Sequence, residues 1–103
     1  MALLSNATAA GSGAPTAIGP GATVAVSGST TAGAGTATVN IEVSHDNAIW
    51  LTHSTVNLTL STTPAAGIIE MGDAYYPYVR ATIPTGGISG TGAKVTATMC
   101  GGK

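Results

Sequence analysis

Polar and apolar residues alternate along residues 37–44, and this alternation constrains the fold more than any other feature of the chain. A period of two residues is the pattern of a β-strand that buries one face. The segment therefore predicts a half-buried strand with small polar side chains toward solvent. The apolar face comprises Ala37, Val39, Ile41 and Val43, and the polar face comprises Thr38, Asn40, Glu42 and Ser44.

Shorter segments of the same kind recur along the chain, separated by residues that favour turns. About seven short strands and no helical window predict an all-β fold, an antiparallel β-sandwich of immunoglobulin-like or jelly-roll-like type. The glycine-rich segment 84–92 is expected to form a hairpin loop. The predicted strands are residues 23–27, 37–44, 49–52, 56–61, 66–71, 76–83 and 93–99.

The 103 residues suffice for one domain with a modest core. Residues 1–20 lack periodicity and contain repeated glycine and proline, so they predict an extended N-terminal arm. Such a segment is either a disordered tail or an arm that lies on a neighbouring subunit, with Leu3 and Leu4 as anchors. The sandwich domain is expected to span residues 21–100, followed by a short tail at 101–103.

Charged residues make up only 7% of the chain, and the formal net charge is −1. Arg80, Lys94 and Lys103 are too few to neutralise a run of phosphates, so nucleic acid is not an expected partner. Nor does any apolar run approach the roughly 20 residues of a membrane helix, and the N-terminus lacks the pattern of a signal peptide. So little charge is typical of an extracellular or particle-bound protein, or of a subunit whose surface is covered by its neighbours.

Residues suited to catalysis or metal binding are sparse. His45, Asp46 and His53 could supply two imidazoles and a carboxylate, but their spacing matches no established metal site, and we interpret them as turn and surface residues. The chain has no Gly-x-Ser-x-Gly motif, and no helix follows its glycine-rich loop to bind a phosphate. The sequence therefore predicts no catalytic, cofactor or metal site, and no enzyme.

Aromatic residues offer a candidate contact surface instead. Tyr75, Tyr76 and Tyr78 lie close to Arg80, and tyrosine and arginine are favoured at interfaces. The alternative is that the tyrosines cover the rim of the core. Trp50 is predicted to lie in the core, since the chain has no phenylalanine. The predicted interface residues are Leu3, Leu4, Tyr76, Tyr78 and Arg80.

Three segments resemble small virion proteins of tailed bacteriophages over residues 37–99. Residues 39–50 are similar to a strand–turn–strand hairpin whose turn reads Ser-x-Asp-Gly, followed after a short gap by Trp. Here Asn47 replaces the glycine, and asparagine also tolerates a positive φ. Residues 78–81 and 92–97 are similar to the last two strands of those proteins.

This resemblance implies a β-sandwich virion protein of the capsid decoration or cement type, assembled in the host cytoplasm. Such a protein oligomerises and bridges neighbouring capsid subunits, so the implied partners are the major capsid protein and copies of the chain itself. One alternative is a tail, neck or fibre component of such a particle. Another is a carbohydrate-binding module that binds cell-surface sugars through the tyrosine cluster.

Overall fold

The computed structural model of the chain describes residues 2–13, 15–18, 22–71 and 76–100. The predicted tail at 101–103, the expected turn at Gly72 and Asp73, and Tyr75 lie outside the described residues. Ten strands occur in the described part. They are β1 (Ala2–Ala7), β2 (Gly11–Ser12), β3 (Thr16–Ile18), β4 (Thr23–Ser29), β5 (Ala32–Ser44), β6 (Leu51–Leu60), β7 (Ala65–Glu70), β8 (Tyr76–Ile83), β9 (Ile88–Thr91) and β10 (Lys94–Cys100).

The strands form two antiparallel sheets packed as a β-sandwich, which confirms the predicted fold class. The four-stranded sheet has the order β1-β10-β4-β7. The six-stranded sheet has the order β2-β8-β5-β6, with β3 also paired to β8 and β9 paired to β5. The long strand β5 is therefore central: β6 lies along one side, while β8 and β9 share the other.

The core lies between the sheets and consists of aliphatic side chains, as the alternation predicts. In β5, Ala37, Val39 and Ile41 are at most 1% exposed, while Val43 at the end of the strand is 8% exposed. Inward residues of β4, β8 and β10 also belong to the core: Val24, Val26, Val79, Ala81, Ile83, Val95 and Ala97. Burial of these residues is the main favourable contribution to folding in a chain of this composition.

Two predicted elements differ from the structure. Residues 49–52 and 56–61 are predicted as separate strands, but Leu51–Leu60 is one continuous strand, β6. Residues 84–92 are predicted as a loop, but they include β9, which pairs with β5. Gly35 of β5 permits that pairing because a Cβ there would collide with the Ser89 carbonyl. Contacts distant in sequence decide both differences, and local composition does not show them.

The segment predicted to be an N-terminal arm contributes strands to both sheets. β1 pairs with β10, and β2 and β3 pair with β8. The chain crosses between the sheets at residues 8–10, and the Gly13 amide after β2 donates to the Ala81 carbonyl of β8 at 2.9 Å. Leu3 and Leu4 are 2% and 8% exposed and belong to the core of their own chain. A contact between these side chains and a neighbouring subunit would require β1 to leave its sheet, so that role stays a prediction.

Candidate functional site

The outer face of the six-stranded sheet carries a hydrogen-bonded network centred on Glu42. The register of β5 and β8 places Glu42 directly opposite Arg80. Arg80 Nε donates to Glu42 Oε1 at 2.7 Å, and the Thr82 hydroxyl donates to the same oxygen at 2.8 Å. The side chains of Arg80 and Glu42 are 25% and 16% exposed, so water screens this ion pair only in part.

Trp50 lies against this network and not in the core, so the prediction of a core tryptophan is wrong. The Arg80 guanidinium carbon is 4.1 Å from the centroid of the indole ring, a distance typical of a cation–π contact. Trp50 is half-buried and lies immediately before β6. The contacts with Glu42 and Trp50 hold the Arg80 side chain in one position on this face of the sheet.

Of the predicted interface tyrosines, Tyr78 lies beside this network. It is half-buried and pairs with Ser44 where β8 meets the end of β5. Tyr76 belongs to β8, but its side chain lies outside what the structure describes. Tyr78 and Arg80 thus lie on β8, and Arg80 contacts Glu42 of β5 and Trp50 next to β6. The sequence did not mark Glu42 and Trp50 as interface residues. Their signal was present in part, because Glu42 belongs to the polar face of the alternating segment.

The remainder of this outer face consists of small polar side chains bonded to one another across strands. Each bond is 2.9 Å long, and together they hold polar groups that would otherwise be available to a ligand or to substrate. The bonded pairs are Thr38 with Asn57, Asn40 with Thr55, Thr36 with Ser89, and Ser12 with Thr82. The polar side chains on this solvent-exposed face thus satisfy one another's hydrogen bonds, although the sheet carries almost no charge.

The turn between β5 and β6 is organised by Asp46. Its Oδ1 accepts hydrogen bonds from the backbone amides of Ala48 and Ile49, each at 2.9 Å, and from the Ser44 hydroxyl at 3.1 Å. The amide of Ile49, then that of Ala48 and the Ser44 hydroxyl, hold the pKa of Asp46 below its ordinary value of 3.8. Asn47 takes a φ of 60°, the left-handed conformation that its place in the turn predicts.

An apolar groove of about 460 Å³ opens beside this turn. Its lining includes Val43, Leu51 and Ile49, and the last two are 64% and 70% exposed. Leu51 pairs with Val43 and so belongs to the inward face of β6, at the end of the sandwich where few residues cover it. The groove offers mainly apolar contact. Ser44, His45, Asp46 and Thr52 also line it, and the turn holds the Asp46 carboxylate.

The residues considered for metal binding or nucleophilic chemistry do not form a site. His53 is the extra residue where the β5–β6 register shifts, and its Nδ1 lies 2.7 Å from the Ser54 hydroxyl. His45 and Asp46 line the groove, whereas His53 and Ser54 do not. Within the described ranges, no group of three or more His, Cys, Asp and Glu residues could hold a metal ion.

The second candidate surface is the pair of edge strands on one side of the sandwich. β6 ends the six-stranded sheet and β7 ends the four-stranded sheet, and no described strand pairs with their outer edges. A row of unpaired backbone groups is a template for pairing with another chain. On the opposite side, β1 contains two register shifts, while β2 and β3 have only 2 and 3 residues. Those edges are irregular or short, which limits pairing.

β7 lacks the usual protection of an edge strand. It pairs with β4 through six consecutive residues without a register shift, and its one charged residue, Glu70, lies at its end. Ile68 projects from its outer face and is 73% exposed. Natural edge strands are commonly protected by bulges, prolines or central charges. A flat, uncharged and partly apolar edge is therefore a surface suited to contact with another protein.

No protein-family model, curated protein or solved structure matches this chain. No helix long and apolar enough to cross a membrane occurs in the part of the chain that the structure describes.

Proposed function

We propose that this protein is a non-enzymatic structural subunit that works by packing into a larger assembly. The observation that carries the proposal is the unprotected edge of β7, with its exposed Ile68 and no charge before Glu70. In an assembly, a neighbouring chain would cover this edge, and burial would add stability to a small core. The low net charge of −1 adds little repulsion between copies.

In its specific form, the proposal is a capsid decoration or cement protein of a tailed bacteriophage. The support is the resemblance of residues 39–50 and of the last two strands to such virion proteins. Its partners would be the major capsid protein and further copies of the chain. Its role would be mechanical, because additional buried contact area between capsid subunits raises the force that the shell withstands.

The Glu42–Arg80–Trp50 network is a further contact surface in this proposal. Arginine and tryptophan side chains that are held rigidly lose little conformational freedom on binding, a property of residues that dominate interfaces. The carbohydrate-binding alternative has less support. That alternative depends on the tyrosine cluster, of which the structure describes only the half-buried Tyr78 side chain.

Quantitative mass spectrometry of purified phage particles tests the specific form. We expect this chain in a simple ratio to the major capsid protein. A few copies per particle would instead indicate a tail, neck or fibre component. Absence from particles, together with binding of the purified chain to a glycan array, would contradict the proposal and favour the carbohydrate-binding alternative.

A further inference from the structure

The backbone phase of β7 identifies which of its polar groups are available to a partner. The Met71 amide donates to the Ala22 carbonyl at 3.0 Å, which continues the β4–β7 register by one residue. In an antiparallel ladder, alternate residues direct both their N–H and C=O groups to the same neighbour. Ala65, Gly67 and Ile69 share the phase of Met71 and bond to β4. The remaining β7 residues, Ala66, Ile68 and Glu70, therefore present their backbone groups at the open edge.

We infer that β7 pairs antiparallel with β7 of a second copy of this chain about a two-fold axis at Ile68. This inference rests on the proposed role in an assembly and names the partner of the open edge. Only residues in the edge-facing phase can bond across the axis. A register centred on Ile68 sets Ile68 against itself and Ala66 against Glu70, so it uses all three donors and all three acceptors of each copy.

Counted between residues of β7 alone, other two-fold registers form fewer hydrogen bonds than the register centred on Ile68. Centring the axis on Gly67 would place Glu70 opposite Pro64, which has no N–H to donate. The register centred on Ile68 also brings the two exposed Ile68 side chains together on the outer face, where each covers apolar surface of the other. The result is a continuous eight-stranded sheet, formed from two copies of the four-stranded sheet.

Charge does not oppose this contact. The five residues from Ala65 to Ile69 are uncharged, and each chain carries a formal net charge of only −1. Glu70 of each copy would lie opposite the small Ala66 of the other, so the two carboxylates stay apart. A second copy thus fits the edge in hydrogen bonding, shape and charge, and a two-fold contact closes on itself without continuing into a fibre.

Sedimentation velocity from about 10 µM to about 1 mM tests the inference, because a short edge contact gives modest affinity. The variant Ile68→Lys places two like charges opposite each other at the axis, and we expect at least roughly tenfold weaker dimerisation. The matched control is Thr98→Lys. Thr98 lies at the same level of the same outer face, but on β10, two strands from the edge. We expect this control to dimerise like the unmodified protein.

The variant Ala66→Lys tests the register. In the register centred on Ile68, it gains two Lys–Glu pairs with Glu70 of the other copy, and we expect dimerisation roughly 2- to 30-fold tighter. A monomeric unmodified protein over the whole concentration range would overturn the inference. So would an Ile68→Lys variant that dimerises as well as Thr98→Lys. A weaker Ala66→Lys dimer would overturn the register.

Amide hydrogen exchange by NMR gives an independent readout. We expect the amides of Ala66, Ile68 and Glu70 to become protected as the concentration rises, while those of Gly67 and Ile69 are protected throughout. Unchanged fast exchange at the first three would contradict edge pairing. A monomer that is nevertheless present in particles would refute only this inference, whereas a dimer that is absent from particles would refute only the capsid role.

Discussion

At the scale of single residues, Asp46 shows how a short sequence specifies a turn. One carboxylate oxygen accepts two backbone amides and the Ser44 hydroxyl, and the adjacent Asn47 takes the left-handed conformation that reverses the chain. These bonds favour the ionised carboxylate. The turn that sets the start of β6 therefore depends on the charge of Asp46.

We expect the turn to loosen in acid. The pKa of Asp46 is lowered in the folded chain, so its contribution to stability is present above the unfolded value of 3.8 and is lost as the pH falls through the folded value. NMR shifts of the Ala48 and Ile49 amides should therefore titrate with a midpoint below 3.8. The same amides in Asp46→Asn should show no such transition. A midpoint at or above 3.8 in the unmodified protein would contradict the assigned hydrogen bonds.

Arg80 links three parts of the chain that are distant in sequence. It contacts Glu42 across the β5–β8 pair and Trp50 immediately before β6. We expect Arg80→Ala to lower the free energy of unfolding by about 1–2 kcal/mol, because Glu42 loses a charge-assisted bond in a half-buried place. Urea denaturation measures this, and the exposed Lys94→Ala is the control, with a change within about 0.5 kcal/mol.

A double-mutant cycle with Glu42→Ala separates the ion pair from the tryptophan contact. We expect a positive coupling energy between Arg80 and Glu42, since each single substitution removes the same bond. Additive effects would show that the Arg80–Glu42 pair adds no stability of its own.

At the scale of elements, β1 determines whether the sandwich closes on its N-terminal side. Its pairing with β10 is interrupted by two register shifts, which makes it an irregular edge strand. Its leucines nevertheless fill the core. The N-terminal segment thus combines a weak hydrogen-bond ladder with strong apolar burial, and burial holds it in place.

We expect Leu3→Ala to destabilise the fold by about 2–4 kcal/mol, the usual cost of a truncated leucine in a packed core. Leu51→Ala is the matched control: the same substitution at a side chain that is 64% exposed should change stability by about 0.5 kcal/mol or less. Thermal unfolding followed by circular dichroism compares the two. Equal effects would show that β1 is not docked in solution and would restore Leu3 and Leu4 as free anchors.

At the scale of the whole molecule, the low charge content and the unpaired edge of β7 are connected. Cross-strand bonds between hydroxyl and amide groups satisfy the outer face of the six-stranded sheet, so little charge is needed there. The edge of β7 has no comparable arrangement within the described residues. A free monomer with such an edge is prone to associate, and a defined partner prevents uncontrolled pairing.

We expect the melting temperature to rise with protein concentration, because association stabilises the folded state by mass action. Differential scanning calorimetry over about a hundredfold range of concentration measures the shift, which should be a few degrees. Ile68→Lys should melt at one temperature throughout. A constant melting temperature in the unmodified protein would argue against association of folded chains.

The sequence by itself determined the fold class and the two faces of most strands. Alternation in residues 37–44 specified which side chains enter the core, because a strand with period two has no other way to bury them. Turn chemistry at Asp46 and Asn47 was equally local. These features depend on neighbours within a few residues, so they can be predicted from the sequence alone.

Tertiary structure alone decided which strands are neighbours, and with them the candidate surfaces. Trp50 lies outside the core, where Arg80 of β8 contacts its ring. Residues 88–91 form a strand because β5 extends beyond β8 and pairs with them. The open edge of β7 likewise follows from sheet order, since the sequence of β7 resembles that of a paired strand. Strand pairing joins residues far apart in the chain, and the local sequence of a strand does not specify which strand it pairs with.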